Sequence, residues 1–209
     1  LYFEAQEWAA LAPVVEMLLA GIRLWGTLEK ELGSDLEYYI GGGLLIADRQ
    51  AQMRDIERRM AIEHSVGLEI HALTRDELQS IAPYASRKMV GGCYCPAEGK
   101  ANPLKATRAF AKRAVEKGAV ILRNTEVTGL ESNGHGFLVR TSGGDIQASR
   151  VVNCAGADAG RVAQMLNMNV DIQGFPIQVS VTAAAEPFIK HLVYAAGLRL
   201  TLKQAANGT

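Results

Sequence analysis

The stretch Val151-Val-Asn-Cys-Ala-Gly-Ala-Asp-Ala-Gly160 decides how this chain is read. It begins as an apolar strand at Val151 and Val152 and tightens through the small residues Ala155, Gly156 and Ala157. It then offers Asp158 as the N-cap of a helix whose apolar face continues through Val162, Ala163, Leu166 and Met168. A strand that turns on glycine straight into a helix gathers free backbone N–H groups and a positive dipole end at one place. Anionic cofactor groups bind well there.

The residues leading into this stretch form a pattern of their own. Pro103 to Lys117 reads as a helix with Leu104, Thr107, Phe110, Ala111, Ala114 and Val115 inward, closed by Gly118. Ala119 to Leu122 reads as a short buried strand. Three further strands follow: Thr125 to Leu130, Phe137 to Thr141 after the Asn133-Gly134 turn, and Ile146 to Ala148 after Ser142-Gly-Gly-Asp145. Such a run predicts a three-stranded antiparallel meander. Beyond the helix, Ile177 to Thr182 and Leu192 to Leu202 return to strand patterns.

Earlier in the chain, Leu11 to Leu32 has helical spacing and stops at Gly33, with Trp25 assigned to the core of that face. Glu37 to Ile40 and Leu44 to Ala47 read as strands around Gly41-Gly42-Gly43. No Lys-Ser/Thr and no helix follow the triplet at once, so it reads as a turn or bulge and not as a phosphate loop. Arg49 to His64 is a charged helix, and Thr74-Arg-Asp-Glu77 is a capping box that opens a short helix ended by Pro83. Met89 to Pro96 is a further strand. The whole order predicts an α/β sheet region interrupted by a strand-rich region.

Composition narrows the function. Lys plus Arg (22) balances Asp plus Glu (22), and aromatics make up 6%, so nothing here favours nucleic acid. No apolar run approaches the roughly 20 residues that span a bilayer. Three cysteines, Cys93, Cys95 and Cys154, do not make a disulfide framework and fit a reducing compartment, so the expected location is cytoplasmic. The Cys93/Cys95 spacing is too narrow for a usual zinc pair, and His64, His71, His135 and His191 show no partnering pattern. No metal is expected. The apolar start at Leu1, Tyr2 and Phe3, and an Asn207-Gly208 hairpin signal with no return strand after it, suggest a fragment of a longer protein.

In this order, the motifs resemble the D-amino acid oxidase/sarcosine oxidase family of FAD-dependent oxidoreductases. The match runs through Glu116-Lys-Gly-Ala119, Asn124-Thr-Glu-Val127, Ile146-Gln-Ala148 and Val151-Val-Asn-Cys-Ala-Gly-Ala157. Gly42-Gly-Leu-Leu-Ile46 and Tyr94-Cys-Pro-Ala-Glu-Gly99 resemble the first strands of the family's substrate domain. His191-Leu-Val-Tyr194 and Leu200-Thr-Leu-Lys-Gln204 are similar to strands of its sarcosine oxidase β and glycine-oxidising cyanide synthase members.

The resemblance implies an α/β fold. Residues 1–36 and 103–170 would form a partial FAD-binding domain, a sheet with the meander. Residues 37–102 and 171–209 would form part of a mixed, largely antiparallel α+β substrate domain. It also implies that Val127 meets adenine through its backbone and that Cys154, Ala155 and Gly156 pack against the dinucleotide. Arg199, Lys203 and Gln204 become candidates for the substrate side, with Arg199 and Lys203 on one strand face and Gln204 opposite.

Departures from the family matter as well. Asp158 stands where the family commonly has an aromatic residue, Pro176-Ile-Gln178 replaces an arginine-containing segment, and no G-x-G-x-x-G occurs in these 209 residues. The expected reading is a fragment of an FAD-dependent oxidoreductase that oxidises the C–N bond of an amino acid or secondary amine of the glycine, sarcosine, proline or D-amino acid type. The fragment itself is expected to be inactive and self-associating. Other oxidase or dehydrogenase subunits are its expected partners, some of them at the inner membrane. The alternative is a non-catalytic subunit or interaction module that keeps the fold. An NAD(P) enzyme is weakened by the missing glycine fingerprint.

Overall fold

A computed structural model describes residues 12–198 and 200–209. The apolar opening at Leu1 to Phe3, the first residue of the expected first helix and the candidate Arg199 lie outside the described residues. By contact the chain divides into two compact units. One runs up to Gly118 and resumes at Val181, and the other is Ala119–Ser180.

In the first unit, α1 (Ala12–Leu32) ends where the sequence predicts, at Gly33. Glu29 then fixes the exit: its Oε1 accepts from the backbone N–H of Leu36 at 2.8 Å and of Tyr38 at 3.3 Å. Leu36, fully buried, packs with Ala106 and Ala109 of α4 (Pro103–Glu116). Trp25, Leu28 and Leu32 of α1 close this cluster, and Trp25 stacks on Tyr38 at 6.0 Å between ring centroids. Asn102 caps α4 by accepting from Leu104 N at 3.0 Å, with Pro103 at the first helical position where its missing N–H costs nothing.

The centre of this unit is a five-stranded sheet in the order β10-β9-β2-β4-β3. Its strands are β2 (Gly43–Ala47), β3 (His71–Thr74), β4 (Gly91–Cys95), β9 (Leu192–Ala195) and β10 (Thr201–Leu202). Only β2 and β9 run parallel. Alternation sends the two faces of β2 to different partners. Leu45 and Ala47, with Cys93 and Cys95 of β4, meet Ile56 and Met60 of α2 (Gln50–Ser65). Leu44, with Val193 of β9, meets Leu78 of α3 (Arg75–Ile81) and Ala82. Leu44 and Leu78 are essentially inaccessible, and burial of each side chain contributes about 2 kcal/mol.

The glycine triplet behaves differently from a simple turn. β1 (Tyr39–Ile40) pairs with β5 (Gly99–Lys100), not with β2, so Gly41 to Gly43 carries the chain from a two-stranded ribbon into the large sheet. The expected capping box is present: Glu77 N donates to Thr74 Oγ1 at 3.3 Å, and Thr74 N donates to Glu77 Oε2 at 2.8 Å. Thr74→Ala is expected to lower the stability of the chain by about 1 kcal/mol in urea denaturation. An unchanged midpoint would show that β3 pairing alone positions α3.

On the α3 side of the sheet, His191 is buried between aromatic rings. Its Nδ1 lies 2.8 Å from the Tyr84 hydroxyl, and its ring meets Tyr94 edge-on at 5.8 Å. Burial, with Lys190 adding to it, pushes the imidazole below the ordinary histidine value. The folded state therefore binds the His191 proton less readily than the unfolded chain. This contribution to stability is complete above the ordinary value of about 6.5 and is lost as pH falls through the folded value. His191→Asn is expected to flatten the fall in urea midpoint between pH 7.5 and pH 5. Glu98, raised by burial, acts with the opposite sign, so the difference between wild type and variant isolates the histidine. Parallel pH profiles would exclude it.

The second unit contains the meander: β6 (Val127–Ser132), β7 (Phe137–Thr141) and β8 (Ile146–Ala148), each antiparallel to the next. A bulge between Val127 and Gly129 shifts the register. A short 3-10 helix (Gly156–Asp158) leads into α5 (Ala159–Gln164).

Three expected strands do not form. Ala119–Leu122, Val151–Val152 and Ile177–Thr182 pair with no strand among the described residues, with Val152 82% and Ile177 85% exposed. Apolar alternation encodes a face, but a strand exists only when neighbours accept its N–H and C=O groups. No helix of the described residues is long and apolar enough to cross a membrane.

Candidate functional site

In the second unit, the adenine-reading expectation at Val127 can be tested against backbone geometry. Ser142 N donates to Glu126 O at 2.9 Å, which sets the hydrogen-bonding phase of the β6/β7 pair. The next residue, Val127, sits opposite Thr141 and therefore turns its N–H and C=O away from β7. β6 is an edge strand among the described residues. A donor and an acceptor thus stand side by side on an unpaired edge, the arrangement an adenine edge requires.

Cys154, Ala155 and Gly156 lie in an exposed turn. Asn153 builds it: its Oδ1 accepts from Ala155 N at 3.2 Å and its Nδ2 donates to Ala159 O at 2.9 Å. Asp158 does not cap α5 as expected. It makes no capping bond and lies 3.5 Å from Arg161, because a 3-10 turn precedes the helix and Asn153 already bridges it. Gly156 has φ +57, and a Cβ there would meet nothing within 4 Å. Glycine is needed for the backbone conformation, and the space beside it is open to a ligand. Val127 thus presents an unpaired donor and acceptor, and Gly156 leaves open space beside its turn, which is compatible with a bound dinucleotide.

The first unit holds a cleft of about 1310 Å³ between α1, α2 and the sheet. Its walls are apolar, with Leu18, Ile22, Trp25, Leu45, Ile56 and Ile70 among them. Trp25, assigned to the core, both packs in the core and lines this cleft. The polar groups gather on one side. Tyr194 of β9 donates its hydroxyl to Glu98 Oε1 at 2.7 Å. Arg59 Nε donates to Glu63 Oε1 at 2.7 Å within α2, and Glu63 is buried. Burial raises the Glu98 carboxyl above its ordinary range, against Tyr194 and Arg59, which hold it down. Burial also raises the Tyr194 hydroxyl, and the adjacent Glu98 adds to the rise. The Cys93 thiol is pushed up to about 12 by burial, which makes it an inert core group.

The two described substrate candidates have different surroundings. Lys203 and Gln204 lie just past β10, not on a strand as expected; Lys203 is exposed and Gln204 beside it is buried. Gln204 Oε1 accepts from Phe188 N at 2.8 Å and Ile189 N at 3.1 Å. Its Nε2 donates to the carbonyls of Ala185, Glu186 and Gly208. That side chain staples the chain end to residues 185–189. The Asn207-Gly208 turn does form, and it returns the chain to Ala185 N, which donates to Gly208 O at 2.9 Å. Nearby, Lys100 donates to the Gln204 carbonyl and lies over the Tyr39 ring at 5.7 Å.

Sequence reasoning did not single out Glu98, Tyr194, Arg59 or Glu63 as a cluster. The available signal was the Glu98-Gly99 pair directly after an apolar strand, where a carboxylate is out of pattern. Among the described residues no group of three His, Cys, Asp or Glu side chains is placed to hold a metal.

Comparison with known proteins places this geometry. The FAD dependent oxidoreductase family matches residues 2–202. Mitochondrial sarcosine dehydrogenase of Mus musculus is 32% identical over 152 residues, which covers 69% of this chain and 16% of that one. Sarcosine oxidase subunit beta of an Arthrobacter species is 27% identical over 194 residues, covering 90% and 48%. The crystal structure of glycine oxidase from Geobacillus kaustophilus superposes with a TM-score of 0.78 at 22% identity, over 91% of this chain and 52% of that chain. The chain thus spans about half the length of these relatives or less. Its mixed α/β fold is theirs, and the match over nearly the whole chain makes it a member of the FAD dependent oxidoreductase family.

Proposed function

We propose that the whole protein oxidises the C–N bond of an amino acid or secondary amine, with glycine, sarcosine, proline and D-amino acids as the substrate class. The observation that carries this reading is the apolar cleft of about 1310 Å³ with its half-buried Glu98–Tyr194 pair. Relatives named for sarcosine and glycine chemistry support the class. Bound FAD would supply the hydride acceptor. The chain's own residues do the rest. Val127 offers its backbone donor and acceptor to adenine, while Cys154, Ala155 and Gly156 leave room for the dinucleotide beside their turn. The apolar walls of the cleft exclude water from the substrate, and Lys203, exposed just past β10, supplies a cation for a substrate carboxylate.

Residues 1–36 and 103–170 belong, in this reading, to the FAD-binding domain, and 37–102 with 171–209 to the substrate domain. The exposed apolar stretches at 119–122 and 151–152 are surfaces for further strands or for a second copy of the chain. Subunit partners follow from the relative named as sarcosine oxidase subunit beta.

The test is spectroscopic. The purified whole protein is expected to carry flavin absorbance that bleaches anaerobically when glycine, sarcosine, proline or a D-amino acid is added. A colourless protein that takes up no added FAD would sink this reading and favour a non-catalytic module. For the 209-residue chain alone, weak FAD affinity is expected, since its sequence has no glycine-rich pyrophosphate loop. Tight stoichiometric binding would overturn that expectation.

A further inference from the structure

We propose that Glu98, positioned by Tyr194, accepts the proton of a protonated amine bound in the cleft, an inference that deepens the proposed function and rests on it. Steric room is the first observation. A Cβ on Gly43 would lie 1.8 Å from Glu98 Oε2 and 2.5 Å from its Cδ, so β2 carries glycine where this carboxyl enters. The second is clamping. Glu98 accepts from Gly42 N at 2.9 Å through its own carbonyl, and its N–H donates to Cys95 O at 3.4 Å. The Glu98 backbone is therefore fixed, and only rotation of its side chain moves the carboxyl. The third is aim: the Tyr194 hydroxyl holds Oε1 at 2.7 Å, and both residues line the cleft.

Burial favours proton uptake by Glu98, while the charges around it act both ways, Arg59 against it and Glu63 for it. From α2 come Arg59 and Glu63, paired with each other at 2.7 Å. From β4 come Cys93 and Cys95, and from β9 comes Tyr194. Glu63 raises the Glu98 carboxyl further, in addition to burial. An ammonium that enters these apolar walls meets a carboxylate whose charge is itself poorly solvated. Transfer of one proton removes both charges: an N–H bond of the ammonium breaks, an O–H bond forms on Glu98, and a neutral amine faces a neutral acid. Low polarity favours that neutral pair. The free nitrogen lone pair it creates is what C–N oxidation needs. Tyr194, its own proton held firmly by burial, serves as a donor throughout.

The test is proton counting. Benzylamine, an ammonium with an apolar body, is titrated calorimetrically into the 209-residue chain at pH 8 in two buffers of different ionisation heat. Wild type is expected to bind the ammonium with almost no proton released to buffer, because Glu98 keeps it. Glu98→Gln preserves the shape but takes no proton. It is expected to bind only the free base, releasing close to one proton per ligand, with affinity falling about tenfold per pH unit below the amine's own pKa. Tyr194→Phe loses only the hydroxyl. It is expected to move the Glu98 carboxyl titration, read by carbon-13 NMR of labelled glutamate, to higher pH by about one unit, which loss of packing alone would not do. Full proton release by wild type, an unmoved Glu98 titration in Tyr194→Phe, or no benzylamine binding by a folded chain overturns the inference. None of these touches flavin binding by the whole protein, which tests the functional reading separately.

Discussion

Gln204→Leu is expected to destabilise the chain by about 3 kcal/mol, with a matching fall in the urea midpoint. The side chain is buried, and five backbone groups depend on it: the N–H groups of Phe188 and Ile189 and the carbonyls of Ala185, Glu186 and Gly208. Leucine fills similar volume but leaves all five without that partner. Those that stay dry each cost of the order of 1 kcal/mol or more. Gln204→Glu separates the two halves of the staple. It can still accept from Phe188 and Ile189, but it sets a carboxylate against three carbonyl oxygens. Its loss should be comparable at neutral pH and smaller in acid, where the protonated acid donates again. A leucine variant within 0.5 kcal/mol of wild type, about the size of an ordinary surface change, would mean that water reaches these groups and the staple is dispensable.

A comparable loss is expected for Gly92→Ala, about 3 kcal/mol or failure to fold, read by circular dichroism and thermal unfolding. Gly92 lies in β4, between β2 and β3. A Cβ there would stand 2.4 Å from the Leu45 carbonyl oxygen and 3.2 Å from Ile46 Cα. Both contacts are to backbone of the paired strand, so no side-chain rotation relieves them. Relief requires β2 to move away from β4, which breaks the ladder that holds Leu44 and Leu45 on their opposite faces. Gly43→Ala offers a control. Its clash is with the movable end of Glu98, so it should perturb the cleft and leave the sheet intact. Equal stability losses for the two variants would contradict this distinction.

These two positions also show how far the sequence could be read. The helices, the capping box at Thr74 and the meander were legible because their signals are local: periodicity, caps and Asn-Gly turns act within a few residues. Family membership was legible from the order of such motifs. Pairing was less so. The pattern at Ile177, Val179 and Val181 is as alternating as that of any strand in the sheet, yet it remains unpaired among the described residues. Nothing in a sequence of alternating valines says which backbone will lie alongside.

The site divided the same way. Val127 and Gly156 could be named from a motif, and backbone phase and open space at those positions fit the role proposed for them. Gln204 shared a motif with Lys203, but four of its five bonds reach residues 185–189 and left no trace in the local pattern. Glu98 and Tyr194 meet across 96 positions of chain, and only the fold brings a carboxyl and a phenol into one cleft.

The parallel pairing of β2 with β9 has a consequence for synthesis. Gln52, at the start of α2, bonds the Ala196 carbonyl 144 residues later, and β9 lies beside β2 over Gly43 to Ile46. During translation, one flank of β2 therefore stays bare until β9 at Leu192–Ala195, and with it the entire second unit, has left the ribosome. Contacts this distant in sequence close slowly, and an unpaired strand flank invites association with other nascent chains. Ribosome-bound chains arrested before Leu192 should depend on a holdase chaperone more than chains arrested after Leu202 has emerged.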